Sequence, residues 1–300
     1  MKLTFIFAQL KYTEMMGRLK DYSKLVKFEH TVFALPFALI GFFMATKHEN
    51  ATLNGQLLFL VLLCMIFARN AAMGFNRYLD RNFDKMNPRT AIREIPEGII
   101  QPKSALFFVL INVMLFVTTT WFINPLCFYL SPVALFVLLF YSYTKRFTAL
   151  CHFVLSLGLA IAPVGAYLAV TGRFDWLPVM IGLIVFFWVS GFDIIYALQD
   201  EEFDKNTNLK SIPAMVGKSR ALLLAKIIHL FSGTFVLAVA YIAPGGWMHW
   251  IGAFLFIGLL IYQHTLVKPR DLSKVNLAFF TTNGVASIVY GFFVITALYI

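Results

Sequence analysis

The chain has 300 residues, of which 60% are hydrophobic and 13% charged, with a mean hydropathy of +0.76. Soluble domains carry about 45–50% apolar and about 25% charged residues, so disorder, a collagen-like fibre and an ordinary soluble enzyme are excluded. The formal net charge of +10 would suggest nucleic acid in a soluble protein, but in a membrane chain it follows from basic residues flanking the spans on the cytoplasmic side.

Residues 1–27 read as a cytoplasmic lead-in segment. A short apolar patch, Leu3 to Leu10, lacks a clear cleavage site and is followed by Lys11, Arg18, Lys20, Lys24 and Lys27. Residues 28–300 then form one membrane domain. A helix needs about 20 apolar residues to cross the hydrocarbon. Nine such helices are predicted, at 28–46, 50–75, 104–123, 125–144, 148–171, 176–198, 221–243, 247–267 and 277–299. Asn124-Pro125, Thr171-Gly172-Arg173, Pro244-Gly245-Gly246 and Lys268-Pro269-Arg270 punctuate them. In lipid the backbone must close its own hydrogen bonds, which leaves helices or a barrel, and these runs are too long for barrel strands. Cys64, Cys127 and Cys151 lie far apart inside apolar runs, with neither a disulfide framework nor zinc spacing.

With the N-terminus in the cytoplasm, all of the 25 Lys and Arg residues except Lys47, Arg69 and Arg173 fall in the lead-in or in segments on the cytoplasmic face. That bias sets the N-terminus inside and the C-terminus outside. The two long polar segments follow the second and sixth spans, so both face the cytoplasm.

These segments carry a repeated acidic motif. Asn76-Arg-Tyr-Leu-Asp80-Arg-Asn-Phe83-Asp84-Lys85 aligns without a gap on Tyr196-Ala-Leu-Gln-Asp200-Glu-Glu-Phe203-Asp204-Lys205. The match reads as a weak internal duplication, two four-helix repeats plus a ninth helix. Within each copy the carboxylates sit at i and i+4, on one face of a helix. Four converging carboxylates need a cation, and magnesium takes one or two carboxylates plus substrate phosphates. Basic residues surround the acids: Arg89 and Arg93 after the first pair, Lys210 after the second, Lys145 and Arg146 in the loop between. Arg offers a planar fork to phosphate oxygens and Lys a point charge. Acids for metal and bases for phosphate imply a magnesium–diphosphate substrate, and its place at the mouth of an apolar bundle implies a lipid tail.

At these residues the chain resembles the UbiA family of membrane-embedded prenyltransferases. The first family motif, Asn-x-x-x-Asp-x-x-x-Asp, matches Asn76, Asp80 and Asp84; an Arg before it matches Arg69, and Arg-Thr-x-x-Arg after it matches Arg89, Thr90 and Arg93. The second, Asp-x-x-Tyr-Ala-x-x-Asp-x-x-x-Asp, matches Asp193, Tyr196, Ala197, Asp200 and Asp204, with Lys210-Ser211 following. The middle Tyr-x-x-x-Lys-Arg loop matches Tyr141, Lys145 and Arg146. The resemblance implies nine helices around a central cavity, a multi-pass protein of the inner (plasma) membrane, and magnesium-dependent transfer of a polyprenyl group from polyprenyl diphosphate. The subgroup it looks like acts on 4-hydroxybenzoate in quinone biosynthesis. The opening Lys27-Phe28-Glu29-His30-Thr31 to Pro36 and the stretch Ala68 to Arg77 look instead like members of the futalosine route to menaquinone, so a dihydroxynaphthoate is the alternative acceptor.

On this reading Asn76, Asp80, Asp84, Asp200 and Asp204 hold magnesium against the diphosphate, while Arg69, Arg89, Arg93, Lys145 and Lys210 neutralise its oxygens. The C1–O bond ionises to an allylic cation, which the electron-rich ring attacks. Asp193 is placed to orient the acceptor phenol, and Tyr141 or Tyr196 to shield the cation through a ring face. The segment from Lys27 to Pro36 is expected to help choose the ring, with Lys27 or His30 as partner to its carboxylate. His30, His152 and His229 read as interfacial or satisfied core residues. A divalent-cation carrier is the other class that a duplication with intramembrane acids suits; acids at one face rather than the midplane speak against it. A phosphatidyl transferase would want Asp-Gly and Ala-Arg between its acids, which are absent.

Overall fold

The computed structural model describes residues 17, 20–27, 31–243 and 245–300. Glu29 and His30 lie outside the described residues, as does most of the lead-in. The spans are α1 (Thr31–His48), α2 (Gly55–Met86), α3 (Pro102–Ile123), α4 (Pro125–Thr144), α5 (Cys151–Thr171) and α6 (Trp176–Ala197), which continues through a 3₁₀ turn, Leu198–Asp200, into α7 (Glu201–Asn206). A short α8 (Ile212–Val216) leads to α9 (Lys218–Ile242) and α10 (Trp247–Leu266). The last span opens as a π-helix, Leu277–Thr282, and goes on as α11 (Asn283–Ala297). Among the described residues eight helices are long and apolar enough to cross a membrane, and Phe33–His48 is a shorter apolar ninth. There is no strand among them beyond one isolated bridge. The protein is an all-helical integral membrane protein.

Polar side chains cap the span starts, Asn124 among the sequence breakers and Asn54 and Asp175 beyond them. The Asn54 side chain accepts from the Leu57 amide at 3.0 Å and Asn124 from the Cys127 amide at 2.8 Å, while Pro125 fills the first turn where no amide is needed. Asp175 accepts from Leu177 to start α6, and Gly172 ends α5 at φ +63°.

The bundle is apolar on its rim as well as inside. On α3 Phe107, Leu110, Met114 and Trp121 face outward at helical spacing, while Asn112, Thr119 and Thr120 are buried. The Asn70 amide donates to the Asn112 side-chain oxygen at 3.1 Å, which satisfies a polar group that lipid could not. Exposed Trp121, Trp176, Tyr241 and Trp247 all lie at the ends of helices opposite the acidic motifs, as an aromatic belt requires.

Sequence neighbours α2 and α3, α5 and α6, and α10 and α11 pack as pairs, while α1 packs on both α5 and α11. Close approach depends on small residues. A Cβ on Gly41 would stand 2.1 Å from the Pro163 carbonyl oxygen, and one on Gly182 2.9 Å from the Ala160 carbonyl oxygen. The main hydrophobic core gathers Phe37, Trp188, Phe256 and Tyr290, all nearly inaccessible.

The largest departure from the expected spans is α2. It runs 32 residues, to Met86, where the sequence suggested an end near residue 75. The first acidic motif therefore sits on continuous helix and not in a loop. Amphipathicity explains the misreading: Arg77, Asp80, Arg81 and Asp84 break the apolar run, but they are presented to the bundle's own polar end rather than to lipid.

Candidate active site

A cavity of about 950 Å³ lies inside the bundle. That is at the upper end of the ~300–1,000 Å³ typical of ligand pockets. Its walls run from Asn87 and Arg89, just past α2, to Ile123, Cys127 and Phe174 near the opposite ends of the helices. Most of the wall is apolar, with Val61, Met65, Phe116, Leu130, Leu155 and Phe186 among its residues. The polar end holds Asn76, Asp80, Asp84, Arg89, Arg93, Lys145 and Asp200 together.

Each motif carboxylate takes one base; three of the four pairs join different segments, while Arg93–Asp84 stays within the first. Arg146 lies 3.1 Å from Asp80, Arg93 2.6 Å from Asp84, Arg89 2.5 Å from Asp200 and Lys145 2.7 Å from Asp204. Arg89 follows the first motif yet forks onto the second, with Nε and Nη2 each donating to one Asp200 oxygen. Asn87 donates from its side chain to the same carboxylate at 3.0 Å and accepts from the Arg89 amide. Burial alone would lower the pKa of Arg89, but its bonds to Asp200 outweigh that and hold it above the usual guanidinium value. Burial opposed by Asp204 likewise leaves Lys145 above the usual ammonium value. Both stay charged at any working pH.

The two motifs differ in shape. Asp80 and Asp84 share one face of α2, and both line the cavity, as their spacing predicts. In the second copy α6 stops at Ala197, and the 3₁₀ turn at Leu198–Asp200 advances about 120° per residue instead of about 100°. Asp200 reaches the cavity, but Asp204 is absent from its wall and its side chain is 0% exposed. Lys145 and the Ser211 hydroxyl, at 2.7 Å, cover it.

The other expected site residues divide. Asn76 lines the cavity and donates from its side chain to Asp80 at 3.0 Å. Arg69 lines it, donates to the Lys27 carbonyl at 2.9 Å, and leaves its buried Nε without a protein partner. Tyr141 lines the cavity. Tyr196 lines it too, but its hydroxyl accepts from Arg89 at 3.0 Å and its ring stacks on Phe279 at 4.1 Å between centroids. Asp193 lines it and accepts from His152 at 2.7 Å. Lys27 lines it. Lys210 does not join them: its side chain is exposed and outside the wall, and its amide donates to the Lys145 carbonyl at 2.6 Å. Sequence reasoning gave no role to Asn87, Ser211, Phe279 or the Arg146–Asp80 pair. Asn87 and Ser211 could have been suspected as cap residues beside the motifs; nothing local marks Phe279.

The residues fit a hard divalent cation. The donors at the polar end are carboxylate and amide oxygens, and Asp84 keeps one buried oxygen, Oδ2, without a hydrogen-bond partner. Among the described residues no three His, Cys, Asp or Glu side chains form a metal cluster by themselves. An ion bound here would need oxygens from a substrate as well.

A family model for the UbiA prenyltransferase family matches residues 34–285, which contain both acidic motifs and every wall residue named above except Lys27. The chain belongs to this family. A 4-hydroxybenzoate octaprenyltransferase of Tolumonas auensis is 29% identical over 237 residues, covering 78% of this chain and 82% of that relative. The apo structure of a UbiA homolog from Aeropyrum pernix K1 superposes with a TM-score of 0.80 at 26% identity, covering 89% of this chain and 98% of that one. A UbiA homolog from Archaeoglobus fulgidus, bound to GPP and Mg2+, shares the fold with a TM-score of 0.71 at 22% identity, covering 92% and 99%. The protein is thus a membrane prenyltransferase with the UbiA fold.

Proposed function

We propose that this UbiA member transfers a polyprenyl group from polyprenyl diphosphate to the ring of an aromatic acid of the 4-hydroxybenzoate type, with magnesium, on the cytoplasmic face of the inner membrane. The observation that carries the reading is the set of four acid–base pairs, three of them joining separate segments, at the polar end of a long apolar cavity. A magnesium diphosphate brings its own cation and anion, so both halves of every pair find new partners without leaving a bare charge in a partly dry site. The relative from Tolumonas auensis, named a 4-hydroxybenzoate octaprenyltransferase, and the magnesium and GPP of the Archaeoglobus homolog agree with this.

Asn76, Asp80, Asp84 and Asp200 would hold magnesium, with Asp204 joining when Lys145 turns to the phosphate. The metal supplies neutralisation of charge on the leaving diphosphate. Arg89, Arg93, Lys145 and Arg146 are the cations that neutralise its remaining oxygens; Lys210 acts through its backbone, by fixing Lys145. Tyr196 is engaged by Phe279 and Arg89, so its part is to hold Arg89. Tyr141 is the ring we assign to shield the allylic cation. Arg69 lies seven residues before Asn76 on the same helix, about 10 Å deeper. At that depth it suits the carboxylate of the acceptor better than the diphosphate. The apolar wall accommodates the tail and keeps water from the cation.

The test is purified protein in detergent with magnesium, a polyprenyl diphosphate and either 4-hydroxybenzoate or a dihydroxynaphthoate. Prenylated 4-hydroxybenzoate is the expected product. Product only from the naphthoate would reassign the acceptor; product from neither would remove the reading.

A further inference from the structure

Beneath the diphosphate end, the cavity wall holds a second charged constellation. His152 is 3% exposed and sits on α5, facing Asp193 on α6. Its Nδ1 lies 2.7 Å from Asp193 Oδ2. Its Nε2 accepts from the backbone N–H of Ile212 at 3.3 Å. An imidazole nitrogen that accepts carries no proton, so the ring's hydrogen is on Nδ1 and is donated to Asp193. Two partners thereby hold one tautomer and one ring orientation. Asp193 itself lines the cavity with its side chain 22% exposed, and Oδ2 is the oxygen bonded to the protein.

The segment that supplies the Ile212 amide is held on three sides. The Lys210 amide donates to Lys145, Ser211 donates to Asp204, and Ser211 caps α8 by accepting from the Ala214 amide at 3.3 Å. His152 is therefore braced by the same segment that fixes Lys145 and Asp204. None of its side-chain hydrogen bonds goes to a member of the four acid–base pairs.

We propose that His152 is a positioning residue for the acceptor: it holds the Asp193 carboxylate so that its other oxygen accepts a hydrogen bond from the phenolic hydroxyl of the aromatic substrate. The inference rests on the proposed function above and adds the group that sets the acceptor's orientation. The chemistry is directional. A carboxylate accepts only, so Asp193 attracts a hydroxyl and repels the substrate's own carboxylate. Asp193 lies seven residues, about 10 Å along α6, from Asp200, within the membrane-embedded part of the wall. A hydroxyl held there sits between the diphosphate end and the deeper Arg69.

The test uses the whole protein and separates the two ring nitrogens. The amide nitrogen of Asn reaches the place of Nδ1, and that of Gln the place of Nε2. His152→Asn keeps the donor to Asp193; His152→Gln and His152→Phe remove it. KM for the acceptor should rise about tenfold in the Gln and Phe variants and stay within about threefold in Asn, the loss expected for a hydrogen bond to a charged group. KM for the diphosphate should stay within about twofold in all three, which packing damage would not respect. A second readout is competition by the acceptor's O-methyl ether, which has no hydrogen to donate. Wild type should prefer the free phenol over the ether, and the Gln variant should lose that preference. Should the Phe variant fail to fold, the Asn and Gln pair carries the comparison. Equal acceptor KM in all variants, or a rise shared by the diphosphate, overturns the proposal while wild-type turnover leaves the proposed function standing. A wild type that prenylates no aromatic acid overturns both.

Discussion

Replacing Lys145 by Met isolates the contact between the middle loop and the second motif. Lys145 Nζ stands 2.7 Å from Asp204, whose side chain is 0% exposed, while Lys145 itself is 33% exposed. Breaking a buried pair by removing one partner costs about 3–5 kcal/mol, because the other charge stays behind in a medium that does not solvate it. Two features here pull the figure to the lower end. Ser211 still donates to Asp204 at 2.7 Å, and the exposed third of Lys145 means part of its attraction is already screened. We expect about 3 kcal/mol, or a Tm lower by roughly 6–10 °C in detergent for a chain of this size. Asp204→Asn should cost less, about 1–2 kcal/mol, because it leaves a neutral amide beside Ser211 and a lysine that can reach water. The double variant should recover most of the Lys145→Met loss, since no buried charge remains. Thermal scans of the four proteins, without magnesium or substrate, read this directly. A Lys145→Met Tm within about 2 °C of wild type, or a double variant no better than Lys145→Met, would refute the reasoning that Asp204 is a sequestered charge held by Lys145.

Asp80→Asn and Asp200→Asn should each abolish turnover while the protein still inserts and binds lipid normally, and excess chelator should silence wild type; activity surviving either treatment counts against the metal–diphosphate site. Gly41→Ala should destabilise the bundle by about 2–3 kcal/mol or more, because its Cβ would press on the Pro163 carbonyl, a backbone atom that cannot turn aside; a thermal scan reads it. Single cysteines placed at Lys85, Arg146 and Lys205 should react with an impermeant thiol reagent from the cytoplasmic side, and those at Lys47 and Arg173 from the other; the reverse pattern would overturn the orientation. The lysine's share of the Lys145–Asp204 contribution should be fully present below the usual lysine pKa of about 10.5 and be lost only as pH rises through the higher value the folded protein imposes, so on a pH series of scans the Tm gap between wild type and Lys145→Met should not shrink as pH rises from about 8 to about 9.

The amino-acid sequence by itself determined the class and most of the spans, and placed the acidic motifs at one end of the bundle. Apolar runs of span length, the Asn124-Pro125 and Thr171-Gly172 breaks, and the clustering of Lys and Arg in alternate connections are local properties, and they are read without knowing what packs on what. The i,i+4 spacing of Asp80 and Asp84 likewise carried straight through, because α2 stays α-helical to Met86. What failed locally failed for tertiary reasons. The extension of α2 beyond residue 75 is hidden because charged residues are tolerated at depth only where other helices supply partners. The identical spacing of Asp200 and Asp204 misled, because the helix breaks at Asp200 itself, where φ −102° and ψ 4° leave the α-helical region between the two carboxylates, and Asp204 turns from the cavity towards Lys145 and Ser211. Lys210 looked like a phosphate ligand because it follows the motif, yet its backbone rather than its side chain is used. The crossing of Arg89 onto Asp200, the stacking of Phe279 on Tyr196 and the His152–Asp193 bond join residues 41 to 111 positions apart. No periodicity or spacing encodes such pairs, because each exists only once separate helices have packed and the low-dielectric interior has forced every buried charge and donor to find a partner.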